Sequence, residues 1–138
     1  MRLVIDTNVF VSGVFFSGKP HQILDAWRRG EIELILSSEI LAEYQATGRE
    51  LAHQFRGTNL TPWLELVVSK ATMVATRPLD TPVCADPDDD KFIACALARG
   101  AKVIATGDKA LLRVSGHEGI EVLTPRQLVA RYLQAASR

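Results

Sequence analysis

A chain of 138 residues, 47% hydrophobic and 23% charged with no low-complexity stretch, fits one ordered domain and argues against a disordered or multidomain protein. Sixteen basic residues balance sixteen acidic ones, so no overall basic field advertises nonspecific nucleic-acid binding. The apolar runs are far too short to cross a bilayer, and Asp6 stands where a signal peptide would still be apolar, so a cytoplasmic protein is expected.

Leu3-Val4-Ile5 predicts a short strand, and it ends on Asp6-Thr7-Asn8. Ser17-Gly18-Lys19-Pro20 signals a turn. His21 to Arg29 then reads as a helix with Ile23, Leu24 and Trp27 on one face, closed by Gly30. Glu33 to Leu36 is a second strand. Ser37 or Ser38 caps the helix that follows, which turns Ile40, Leu41, Tyr44 and Leu51 inward, contains Glu43, and has a weak point at Gly48. Thr61-Pro62-Trp63 opens another helix to about Ser69. Thr72 to Ala75 is a strand, and Arg77 to Ala85 a proline-rich loop. Asp86-Pro87-Asp88-Asp89-Asp90 then precedes an apolar helix over Lys91 to Ala98. Lys102 to Ala105 is a strand running into Thr106-Gly107-Asp108, followed by a short helix at Ala110 to Val114, a strand at Glu121 to Leu123, and a last helix from Pro125 to about Gln134. Strands that alternate with helices predict an α/β fold: one three-layer α/β/α sandwich over residues 1–138 with a central, mostly parallel sheet.

In such a sheet the acids that end two hydrophobic strands, Asp6 and Asp108, emerge at one edge, where open α/β folds place their ligands. Each has an ordinary structural alternative: Asp6 as a turn former, and Asp108 or Thr106 as the cap of the next helix. Asn8 could cap a turn or orient a water or a phosphate. The aspartate run is harder to explain as a cap alone, because one cap needs one Asp. Like charges repel by about 1 to 4 kcal/mol per close pair, and a cation would relieve that. Helical spacing places Asp89 with Phe92, Ile93 and Ala96, and Asp90 with Ile93, Ala94 and Leu97, so both remain open as the inward acid. Glu43, in the middle of a helix, would ordinarily be solvated. Cys84 and Cys95 have no CxxC spacing, and His21, His53 and His117 are scattered, so a metal here should prefer oxygen. Three or four converging carboxylates suit Mg2+ or Mn2+ and phosphoryl transfer.

Asp6-Thr7-Asn8-Val9 with Ser12, Glu43, Asp86 to Phe92, and Thr106-Gly107-Asp108 with Leu111-Leu112 together resemble the PIN-domain ribonucleases, and among them the VapC-like toxins of toxin–antitoxin systems. The resemblance implies a Mg2+- or Mn2+-dependent endoribonuclease in which water attacks phosphorus in line. It implies Asp6, Glu43, Asp89 and Asp108 as the catalytic acids, with Asp6, Asp89 and Asp108 holding the metal. Asp89 is preferred over Asp90 because Ala94 and Ala96 match small residues of the family. Asn8, Thr106, Asp86 and Asp90 would support these acids, and Lys19, Lys91, Lys109 and Arg113 lie near the motifs for RNA contact. The same resemblance implies an RNA substrate, an antitoxin partner and a homodimer, whose interface Trp27, Leu60 and Trp63 could supply unless they pack in the core. A catalytically inactive PIN-like module that binds RNA or protein is the alternative. A phosphatase or receiver domain fits less well, because Asn8 stands where a second acid is needed.

Overall fold

The computed structural model describes residues 1–133. In chain order these form β1 (Arg2–Ile5), α1 (Thr7–Phe15), α2 (Lys19–Arg28), β2 (Glu33–Leu36), α3 (Ser38–Gln54), α4 (Thr61–Lys70), β3 (Thr72–Met73), α5 (Asp90–Arg99), β4 (Val103–Ala105), α6 (Lys109–Leu112), β5 (Glu121–Leu123) and α7 (Pro125–Leu128). One 3-10 turn, Pro87–Asp89, leads into α5, another covers His117–Gly119 before β5, and a π-helical turn, Val129–Leu133, continues α7. Gln134, the expected end of the last helix, lies outside the described residues.

The sheet order is β3-β2-β1-β4-β5, and every pairing is parallel. Leu3, Val4 and Ile5 are all fully buried. Because successive strand side chains point to opposite faces, helices must cover both faces of the sheet. α5 lies across β1, β2 and β4 on one face, while α1, α2, α7 and its π-turn pack together in the opposite layer. The α/β/α expectation therefore holds, with a sheet that is wholly parallel.

α1 was not expected from periodicity, and its surroundings explain why. Thr7, Val9, Phe10, Val11, Gly13, Val14 and Phe15 are all buried, so the helix is apolar almost all round and carries no amphipathic stripe to read. It is held at both flanks. A Cβ at Gly13 would stand 2.7 Å from Leu24 of α2, so the glycine permits that close contact. On the other side Phe10 stacks on Tyr44 of α3 with ring centroids 4.1 Å apart, and the Tyr44 hydroxyl donates to the Ile5 carbonyl at the end of β1. Gly48, also in α3, plays a similar part, since a Cβ there would meet Leu60 at 3.0 Å. Trp27 and Leu60 are buried within the chain and so present no interface of their own. β3 is shorter than the Thr72 to Ala75 run, although Val74 still donates to the Leu36 carbonyl at 2.8 Å.

Candidate active site

The chain lays β2 and β3 on one side of β1, then crosses back to place β4 and β5 on the other. Between β1 and β4 the connections leave toward opposite faces, and the resulting crevice at the carboxyl ends of the strands is the preferred ligand position of doubly wound sheets. The two residues that leave these strands there are Asp6 and Thr106. Their backbone N–H groups extend the ladder, to the carbonyls of Ala105 and Leu123, each at 2.9 Å.

Asp6 occupies the N-cap position of α1, yet its side chain makes no capping bond. Instead Oδ2 accepts from the Thr106 hydroxyl at 2.5 Å, in surroundings that leave Asp6 only 7% exposed. Burial pushes this carboxyl above the usual range, the Thr106 hydroxyl opposes it, and the negative charge of Glu43 adds to the rise. Thr106 is fully buried and works in both directions, since its oxygen also accepts the Asp108 N–H at 3.0 Å. Asp108 does cap α6, through Oδ2 to the Leu111 N–H at 3.1 Å. That bond fixes the orientation of the carboxylate and engages only one of its oxygens.

Asp89 ends the 3-10 turn that Asp86 caps by accepting the Asp88 N–H at 3.0 Å. Its carboxyl is pushed up to about 6, first by burial, then by the charges of Asp108 and Asp6, with the charge of Asp86 adding to the rise. The charges of Asp6 and Asp108, from two strand ends, therefore both bear on Asp89. Asp90 turns elsewhere: its carboxylate accepts the backbone N–H of Cys84 at 2.8 Å and of Val83 at 3.3 Å, pinning the proline-rich loop against α5. Asp90→Ala should strand both donors and destabilise the chain by about 1 to 3 kcal/mol. Urea unfolding would measure this, and faster proteolysis at the Arg77–Ala85 loop should accompany it.

Glu43 has both oxygens engaged, one by the Thr7 hydroxyl and the other by the Lys91 ammonium. Lys91 is 9% exposed and also reaches Asp88 at 3.1 Å, so it does not offer itself to a polymer as a surface lysine would. Lys19, Lys109 and Arg113 are exposed, as is Asn8 in the first turn of α1. The Lys91 pairing was missed from sequence; the signal was faint, a lysine three residues after Asp88 at the start of an apolar helix.

Among the described residues no three His, Cys, Asp or Glu side chains are gathered tightly enough, as they stand, to enclose an ion. Nor do the ion pairs of those residues give Asp6, Asp89 or Asp108 a cationic partner. What the edge offers is a set of oxygen donors with surplus negative charge, the chemistry that hard divalent cations match. Cavities of about 610 and 550 Å3 flank the proline-rich loop; the second reaches Asp88, Asp90 and Lys91, and neither is lined by Asp6, Asp89 or Asp108.

A family profile described as PIN domain matches residues 2–110, a span that includes all four of these acids and Thr106. The chain is also 28% identical over 143 aligned positions to an uncharacterized protein of Methanocaldococcus jannaschii, covering 96% of this chain and 92% of the relative.

Proposed function

Because the chain belongs to the PIN domain family, whose members are generally nucleases, we propose that it is a Mg2+- or Mn2+-dependent endoribonuclease. One observation carries this reading: the charges of Asp6 and Asp108, distant in sequence, bear on Asp89 at the switch point of the sheet, and among the described residues none of the three acids has a cation paired to it. Asp6, Asp89 and Asp108 would hold the divalent ion. When bound, that ion supplies charge neutralisation at the phosphate and a more acidic water.

The chain's own residues prepare the site. The Thr106 hydroxyl orients the Asp6 carboxylate, and the α6 cap orients that of Asp108, so neither has to be ordered as substrate arrives. Burial around Asp6 strengthens its attraction for a cation. Lys109 and Arg113, exposed beside Asp108, are suited to the phosphate backbone of RNA.

The toxin role in a type II toxin–antitoxin pair belongs to the same proposal, with an antitoxin as protein partner, a homodimer as the working form and the cytoplasm as its place. It is supported by the order of the motifs and by the family. No helix among the described residues is long and apolar enough to cross a membrane. A second reading, a PIN-like module that binds RNA without cutting it, is favoured by the engagement of Glu43 with Lys91. Incubating the full chain with an unstructured RNA separates the two. Cleavage with Mn2+ or Mg2+ that stops with EDTA is expected; binding without cleavage supports the module, and cleavage that survives EDTA sinks the metal-dependent reading.

The pH dependence of cation binding has a definite sign. Folding raises the Asp89 carboxyl from 3.8 to about 6, so the stability this group contributes to the cation-free chain is complete below 3.8 and is lost as pH rises through about 6. Cation binding needs the opposite state, a deprotonated carboxylate. Affinity for Mn2+, measured by calorimetry, should therefore fall about tenfold per pH unit below that midpoint and level off above it. An affinity that stays flat across the midpoint would remove Asp89 from the ligand set.

A further inference from the structure

α1 is buried on every side but one. Within it only Asn8 and Ser12 escape burial, and with Phe16, the C-cap residue, they recur at every fourth position along a single face. That stripe begins two residues from Asp6, at the acidic edge. From Asp6 to Phe16 is ten residues, about 15 Å along the helix.

At its far end Phe16 meets Phe55, the C-cap residue of α3, edge to face, with ring centroids 5.0 Å apart and planes 84° from parallel. Phe55 also leans on buried Phe15 at 6.3 Å. One exposed aromatic is ordinary. Two in contact, 45% and 39% exposed and steadied by a third ring, leave π faces open at a fixed angle, and such faces are where nucleic-acid bases stack.

The charge around this corner favours a polyanion. Lys19 follows Phe16 by three positions and Arg56 follows Phe55 directly; both are exposed, and among the described residues neither is in an ion pair. No Asp or Glu occurs from position 7 to 24 or from 51 to 64, in a chain whose net charge is zero. Glu50 is the acid nearest to either ring in sequence, and five residues turn it about 140° around α3 from Phe55. Helix C-termini disfavour anions, and the two cations offset that.

We propose that Phe16 and Phe55 form a base-stacking platform for single-stranded RNA, reached from the acidic edge along the Asn8–Ser12 face of α1. At about 3.4 Å per stacked nucleotide, a strand covers that distance in about four or five nucleotides. The proposal rests on the reading of RNA as substrate and adds a binding site to it. It is tested by fluorescence anisotropy with the full chain and a labelled oligouridine of about ten nucleotides, long enough to span the track, at low salt in EDTA, so that neither a cation nor cleavage enters. Phe16→Ala should weaken binding about tenfold, as should Phe55→Ala, while Phe16→Trp should bind at least as well as wild type. Phe16→Leu, apolar but without a π face, should behave like the alanine variant. A strand of the same length without bases should bind weakly and ignore all four substitutions. Lys19→Ala should weaken both strands alike and lower the salt dependence by about one phosphate contact.

Oligouridine affinity that stays within about twofold of wild type in a Phe16→Ala chain with native circular dichroism would overturn the proposal, as would equal losses for Phe16→Trp and Phe16→Ala. So would a Phe16→Ala chain that turns from dimer to monomer in sedimentation with RNA affinity unchanged, which makes the corner a contact with a second copy. A wild type that binds no RNA fails further back, since it removes RNA as substrate and the platform with it. A wild type that binds RNA through Phe16 and does not cleave it with Mn2+ or Mg2+ keeps the platform and loses only the nuclease.

Discussion

Asp6→Asn should lower the cleavage rate by about a thousandfold or more, equivalent to roughly 4 kcal/mol of transition-state stabilisation, while the chain stays folded. The substitution removes the one carboxylate that is both buried and placed at the switch point between β1 and β4. It leaves the rest of the local structure intact: an amide oxygen can still accept from Thr106, and Asn is as good as Asp at a helix N-cap. Stability should hold or rise slightly, because desolvation of the Asp6 charge and its repulsion by Glu43 both disappear. Loss of activity with an unchanged or higher melting temperature is the signature of a group retained for chemistry. Cleavage within tenfold of wild type would exclude Asp6 from the reaction, and a collapse of the melting temperature would make it a structural residue.

The largest expected loss of stability follows Phe10→Ala. Phe10 is fully buried, and its ring lies parallel to that of Tyr44, 3° from coplanar. Truncation of a buried Phe costs about 3 to 5 kcal/mol, part of it for the cavity left behind, and a stacked pair adds about 0.5 to 1.5 kcal/mol. Against a total of about 5 to 15 kcal/mol for a domain, that is a large fraction of the whole. Guanidinium unfolding monitored by circular dichroism would measure it, and a change below about 1 kcal/mol would refute the packing account. The same contact sets α3 against α1 and so carries Glu43 to Thr7, which means that a surviving Phe10→Ala protein should also show altered Mn2+ binding.

Some features of the site are legible in the residues alone because they are local. A strand that ends on an acid is visible in Val103-Ile104-Ala105 and the residues after it, and alternating elements imply parallel strands whose ends share an edge. The caps are local too: Ser37 accepts from the Ile40 N–H at 3.2 Å, as its position before an apolar helix suggested. α1 escaped notice because burial on nearly every side erases the periodic contrast by which a helix is recognised. The choice between Asp89 and Asp90 was open on helical spacing, since both lie beside the apolar face. In the fold the backbone donors of Val83 and Cys84 take the Asp90 carboxylate, while the charges of Asp108 and Asp6 bear on Asp89.

From its order of residues alone, then, this chain determines an α/β sandwich with carboxylates at the ends of its strands, because hydrophobic period and strand-ending acids are properties of neighbours in sequence. Which of those carboxylates share charge and which is matched by an ammonium was decided only by the tertiary structure. Asp6 meets Thr106 across a hundred positions because β1 lies beside β4, and Glu43 meets Lys91 across forty-eight because α3 and α5 converge at that edge. Electrostatic coupling depends on distance in space and on burial, and neither is written in the spacing along the chain.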